Sequence, residues 1–67
     1  MRLWIARDSG GDLMLFIKKP KKIEHIGMFD SIYPDNDYVF LDENEFSEVT
    51  WENSPKQVEL KIVEELC

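Results

Sequence analysis

The stretch Leu3-Trp4-Ile5-Ala6-Arg7-Asp8-Ser9-Gly10-Gly11-Asp12-Leu13-Met14-Leu15-Phe16-Ile17 decides the fold class. Two β-prone runs flank the only Gly-Gly pair of the chain, and glycine supplies the positive φ angles of a tight hairpin turn. Two registers are open. A two-residue loop at Gly10-Gly11 sets Ile5 against Phe16 and Trp4 against Ile17. A three-residue loop sets Trp4 against Phe16 and Ile5 against Leu15. In either register both faces of the hairpin carry large apolar side chains, whereas a pair with one wet face alternates apolar with polar. Either the rest of the chain folds over both faces, or a second copy covers one.

Working outward, Pro20 stops the second strand because it has no N–H to give to a ladder. Lys18, Lys19, Lys21 and Lys22 around it read as a solvated strand end that guards against edge aggregation. An anion or nucleic-acid contact is the rival reading. Residues 23–29 are expected to form a third strand with a bulge or bend at Gly27, and His25 half-exposed on it. Residues 33–37 read as a turn, and Tyr38-Val39-Phe40-Leu41 as a short buried strand. Asp42 and Glu45 stand in capping-box spacing, which predicts one helical turn. Glu48-Val49-Thr50-Trp51-Glu52 reads as a strand, followed by a turn at Asn53-Ser54-Pro55. The last segment is ambiguous. Val58, Leu60 and Ile62 alternate with Glu59 and Lys61 as in a strand, yet Ser54-Pro55-Lys56-Gln57 also reads as a helix start. A strand through Val63 with a frayed tail at 64–67 is the expectation. The predicted architecture is mainly β, a small antiparallel sheet or open barrel of about five strands with one short helical turn, in a single domain over 1–67.

At 67 residues and 8.0 kDa, such a chain buries only about 60% of the surface its unfolded form exposes. Domains this small usually add a disulfide, a metal or a partner subunit. Cys67 is the only cysteine, so no internal disulfide forms, and one Cys with one His, His25, offers no metal-ligand cluster. The carboxylates of residues 35–45 lack the glycine of a calcium loop. Self-association, or docking on a larger protein, is the supplement that composition leaves.

The net charge of −6 is unevenly spread. Residues 1–22 carry six basic against two acidic groups, and residues 37–67 carry nine acidic against two basic ones. An acidic chain is poorly suited to nucleic acid, because phosphate neutralisation supplies most of that affinity. The longest uncharged apolar run, Leu13 to Ile17, falls far short of the roughly 20 residues of a membrane helix. With no leader-like segment and a lone thiol, the chain reads as cytoplasmic.

No nucleophile motif, phosphate loop or metal-ligand spacing appears, and so small a core leaves little room for a catalytic cleft. The expectation is a non-enzymatic protein without catalytic, cofactor-binding or metal residues and without a cofactor. Its partner would be a second copy or a larger host or phage protein, met through a surface that includes Leu3, Ile5, Met14 and Phe16, the apolar side chains of the first hairpin. No nucleic-acid or membrane partner is expected.

Two blocks carry a resemblance. Trp4-Ile5-Ala6-Arg7-Asp8 with Leu13-Met14-Leu15-Phe16 and Lys19-Pro20 is one. Phe46-Ser47-Glu48-Val49-Thr50-Trp51-Glu52-Asn53-Ser54-Pro55 before Val58-Glu59-Leu60 is the other. Together they cover about half the chain and resemble small uncharacterised proteins of bacteriophages, prophages and gut Bacteroidetes or Firmicutes. Members often have Pro where this chain has Ser47, a departure that affects a turn. The resemblance implies a mobile-element origin and a terminal strand, and no activity. An acidic phage inhibitor of a host nucleic-acid-handling protein, of anti-defence or nucleic-acid-mimic type, is the alternative it allows.

Overall fold

The computed structural model describes residues 1–30 and 36–60. Over these the chain is mainly β, with 44% strand and no helix. Its strands are β1 (Arg2–Arg7), β2 (Leu13–Phe16), β3 (Lys21–Ile23), β4 (Met28–Asp30), β5 (Tyr38–Leu41) and β6 (Lys56–Glu59). A four-stranded antiparallel sheet runs in the order β5-β2-β1-β6, and β3 and β4 form a separate two-stranded sheet. Neither closes into a barrel.

The first hairpin takes the three-residue register, with Trp4 opposite Phe16 and Ile5 opposite Leu15. Asp8 selects it. Its N–H donates to the Asp12 carbonyl at 3.0 Å, and its own carbonyl accepts from Gly11 N at 3.1 Å. The Asp8 carboxylate, buried under the loop, accepts from Gly10 N at 2.9 Å and Asp12 N at 3.0 Å. A short acidic side chain thus satisfies two loop donors that a two-residue turn would not present together. Of Gly10 and Gly11, only Gly11 has positive φ, at 98°. The two glycines therefore differ. Gly11→Ala is expected to cost about 1 kcal/mol through left-handed backbone strain, and Gly10→Ala much less; paired urea melts check this, and equal losses would contradict it.

Pairing sorts the sheet into two faces. Leu3, Ile5, Leu13, Leu15, Val39, Leu41 and Val58 share one, where Ile5 and Leu13 pack on Val49 from the 42–55 loop. Trp4, Ala6, Met14, Phe16, Tyr38 and Phe40 share the other, where Phe29 of β4 packs on Ala6, Met14 and Phe16. The central strands β1 and β2 are thus covered on both sides within one chain, which answers the first alternative posed by their apolar pattern.

Several expectations are corrected. Residues 23–29 are the hairpin between β3 and β4, not one bent strand, and His25 lies exposed in its turn. Gly27, at φ 68°, closes that turn, and its carbonyl accepts from Ser9 N at 3.0 Å and Ser9 Oγ at 2.9 Å. The two hairpin tips are thereby locked together. A Cβ on Gly27 would fall 2.0 Å from Ser9 Oγ and 2.9 Å from Ser9 Cβ. Gly27→Ala is expected to cost about 2 kcal/mol or more, the strain of its φ and the clash adding. Adding Ser9→Gly should recover the clash and leave the φ strain, and thermal melts of the single and double variants read the difference.

The predicted helical turn at 42–46 is absent. Glu45 N bonds the Asp42 carbonyl at 2.9 Å and Asn44 N bonds Asp42 Oδ1 at 2.9 Å, which make a single turn that Phe46, at φ 50°, ends. Residues 48–52 are not a strand either. Asn53 Oδ1 accepts from Thr50 N, Asn53 Nδ2 donates to the Glu48 carbonyl, and Ser54 Oγ donates to the Thr50 carbonyl. These local bonds take the backbone groups a ladder would need. Strand β6 runs 56–59, as the alternation predicts, while residues 61–67, with the predicted end of that strand and the frayed tail, lie outside the described residues, as do 33–35 of the predicted turn.

Candidate interaction surface

The strands of the four-stranded sheet differ sharply in what they present at its two edges. β6 offers Lys56, Gln57 and Glu59 to solvent, and charged side chains discourage further pairing. β5 carries no charge at all. Tyr38, Val39 and Phe40 are 49%, 56% and 65% exposed, and no other described strand pairs with its outer side. The sequence predicted this strand and its limits, but as a buried element. It is open because it is an edge, a fact of strand order that local pattern does not encode.

Hydrogen-bond alternation fixes what the edge offers. Ile17 N donates to the Asp37 carbonyl at 3.2 Å, so positions 37, 39 and 41 turn their backbone groups toward β2. The N–H and C=O of Tyr38 and Phe40 then point outward. Their rings lie on the Phe16 face of the sheet. Phe16 and Tyr38 are 5.3 Å apart between centroids, and Tyr38 and Phe40 meet edge-on at 5.7 Å. A cleft of about 210 Å³ beside them is lined by Met14, Phe16, Met28, Phe29, Tyr38 and Phe40, with Asp8, Asp12 and Asp30. On the opposite face Val39 borders an apolar hollow of about 220 Å³ with Met1, Leu3, Leu15 and Ile17.

The four residues singled out in the sequence do not form one surface. Leu3 and Ile5 are 6% and 3% exposed on the Val49 face, and Met14 and Phe16 are 7% and 2% exposed on the Phe29 face. They build the two cores of a single chain. Both faces of the hairpin are apolar because the chain itself folds over both.

Lysines near Pro20 also have work inside the chain. Lys22 donates to the Trp51 carbonyl and sits 4.3 Å from the Trp51 ring, and Lys19 lies 5.3 Å from the Trp4 ring. Two of the four cations thus sit over tryptophan faces, where their charge is attracted by the ring.

The residue that sequence reasoning passed over is Arg7. Its guanidinium donates to the carbonyls of Val49 at 2.6 Å, Gly11 at 2.8 Å, Glu43 and Glu45 at 2.9 Å, and Phe46 at 3.2 Å. The 42–49 loop is wrapped around this one side chain, with Asp42, Glu43, Glu45 and Glu48 left exposed. Arg7 N meets Ser54 Oγ at 2.9 Å, which supplies the acceptor that β6, starting at Lys56, does not reach.

Among the described residues no group of three or more His, Cys, Asp or Glu is placed to hold a metal ion, and no helix is long and apolar enough to cross a membrane. Comparison with known proteins gives no match, whether to a family model, a curated protein or a solved structure.

Proposed function

We propose that this chain is a small, non-enzymatic, cytoplasmic protein-interaction domain of mobile-element origin, whose partner docks on the open edge of β5. The observation that carries the reading is the pairing of outward backbone groups with large exposed side chains on an uncharged edge strand. An incoming strand takes its affinity from the backbone bonds and its specificity from alternate side chains. The mobile-element origin rests on the two sequence blocks described above. Nucleic acid is not the partner in this reading, since the net charge of −6 repels phosphate.

A photo-crosslinking benzoylphenylalanine at Phe40 tests the reading in cells, with the same group at exposed Glu52 as control. One discrete adduct from position 40, identified by mass spectrometry and absent from position 52, is the expected result. A smear, or equal adducts from both positions, would contradict it.

A second reading has an observation of its own. Arg7 spends its donors on loop carbonyls and not on the neighbouring carboxylates, so the loop presents Asp42, Glu43, Glu45 and Glu48 as an exposed acidic surface. Such a surface suits an inhibitor of a host nucleic-acid-handling protein. In that case the discrete adduct arises from a photo-crosslinker at Glu45 and not at Phe40.

A further inference from the structure

We infer that the partner on β5 is a second copy of the chain, joined β5 to β5 antiparallel about a two-fold axis through Val39. This rests on the interaction reading above and names its occupant.

The argument is one of register. A strand added to β5 must align its own outward-pointing residues with Tyr38 and Phe40. In a symmetric pair both copies obey the same alternation, so the axis passes through a residue and never between two. Three positions bring the strands together. An axis through Phe40 sets Tyr38 against the partner's Asp42 twice, so each ring meets a carboxylate and not another ring. An axis through Tyr38 sets Phe40 against the partner's Asn36 and Val39 against the partner's Asp37. Asn36 is buried, with its side chain bonded to both Lys18 N and the Lys18 carbonyl.

The axis through Val39 instead pairs the exposed apolar residues of β5 with one another. Tyr38 faces the partner's Phe40, Phe40 faces the partner's Tyr38, and Val39 faces its own counterpart. Asp37 meets the partner's Leu41, and within residues 37–41 no like charges oppose one another. Two aromatic cross-strand pairs form on the Phe16 face, continuing the ring contacts already made by Phe16, Tyr38 and Phe40. The outcome is a continuous eight-stranded sheet. It is an isologous contact, closed by one two-fold, and it stops there because the outer edges are then the charged β6 strands.

Cysteine pairing reads the register directly. In a Cys67→Ser background, Val39→Cys places two thiols at a non-hydrogen-bonded site, where Cα atoms are about 4.5 Å apart, inside the usual disulfide range. Mild oxidation of Val39→Cys should give a covalent dimer of twice the 8.0 kDa chain mass. Tyr38→Cys or Phe40→Cys alone should form one about tenfold more slowly, because the same residue then meets itself only diagonally. A mixture of those two variants should give the heterodimer. Circular dichroism confirms that each variant is folded. Equal crosslinking at all three positions, fastest crosslinking at position 40, or an 8.0 kDa species by sedimentation equilibrium at tens of micromolar for the unmodified chain would overturn the inference. If the chain is monomeric while the position-40 photo-adduct contains another protein, self-pairing is wrong and the interaction reading stands. If no discrete adduct forms at all, the interaction reading fails with it.

Discussion

Replacing Arg7 by lysine is expected to lower the melting temperature by about 10 °C or more, although charge and chain length are nearly kept. The guanidinium serves five carbonyls from three separate stretches, at Gly11, at Glu43, Glu45 and Phe46, and at Val49. A planar fork reaches several acceptors at once, and an ammonium on a flexible stem serves one or two. Bonds from a charged donor are worth about 1.5–3 kcal/mol each where buried and less where water competes. The contacts to Val49 and Gly11 are part-buried and the others exposed, so a total of about 2–3 kcal/mol is the reasonable scale. The loss should be local first. Val49 N, bonded to the Phe46 carbonyl at 2.9 Å, should lose protection before β1 and β2 do. Thermal melts with amide exchange on Arg7→Lys check this, and a melting temperature within about 2 °C of the parent would show that the loop holds itself.

Phe16→Ala is expected to unfold the chain, and Phe40→Ala to leave it folded in dilute solution. The two phenylalanines occupy neighbouring strands on one sheet face, but Phe16 is 2% exposed and Phe40 65%. Emptying a buried phenylalanine site costs about 3–5 kcal/mol. A domain of this length has a total stability of about 3–10 kcal/mol. Surface truncation usually stays within about 0.5 kcal/mol. Near-ultraviolet circular dichroism and amide dispersion at low concentration separate the outcomes. A folded Phe16→Ala variant, or an unfolded Phe40→Ala one, would show that the assignment of core and edge is reversed.

The sequence made the first hairpin legible because its signals are local, two apolar runs around a glycine turn. What it left open, the loop length, is decided by the Asp8 carboxylate, whose two bonds to loop N–H groups are legible only once the turn is drawn. β5 was legible in extent, bounded by Asp37 and Asp42, but not in exposure. Residues 48–52 misled because Val49, Thr50 and Trp51 have strand propensity, while the bonds from Asn53 and Ser54 that defeat it depend on the chain turning back. Gly27 marked a break correctly, and the break is a reversal rather than a bulge because Ser9 waits on the other side of it. The candidate surface was misplaced for one reason. Apolar residues on both faces of a hairpin can be covered by the same chain, and the Phe29 and Val49 segments that do so looked like strands of the sheet itself.

The most direct measurement is residue-resolved amide exchange along β5 at two protein concentrations. In dilute solution the account predicts protected amides at Val39 and Leu41, which face β2, and freely exchanging amides at Tyr38 and Phe40, which face outward. At high concentration Tyr38 and Phe40 should become protected as the edge closes. Full protection of Tyr38 and Phe40 in the dilute chain would mean that the edge is already occupied within one copy, and it would contradict the docking surface on which the functional reading rests.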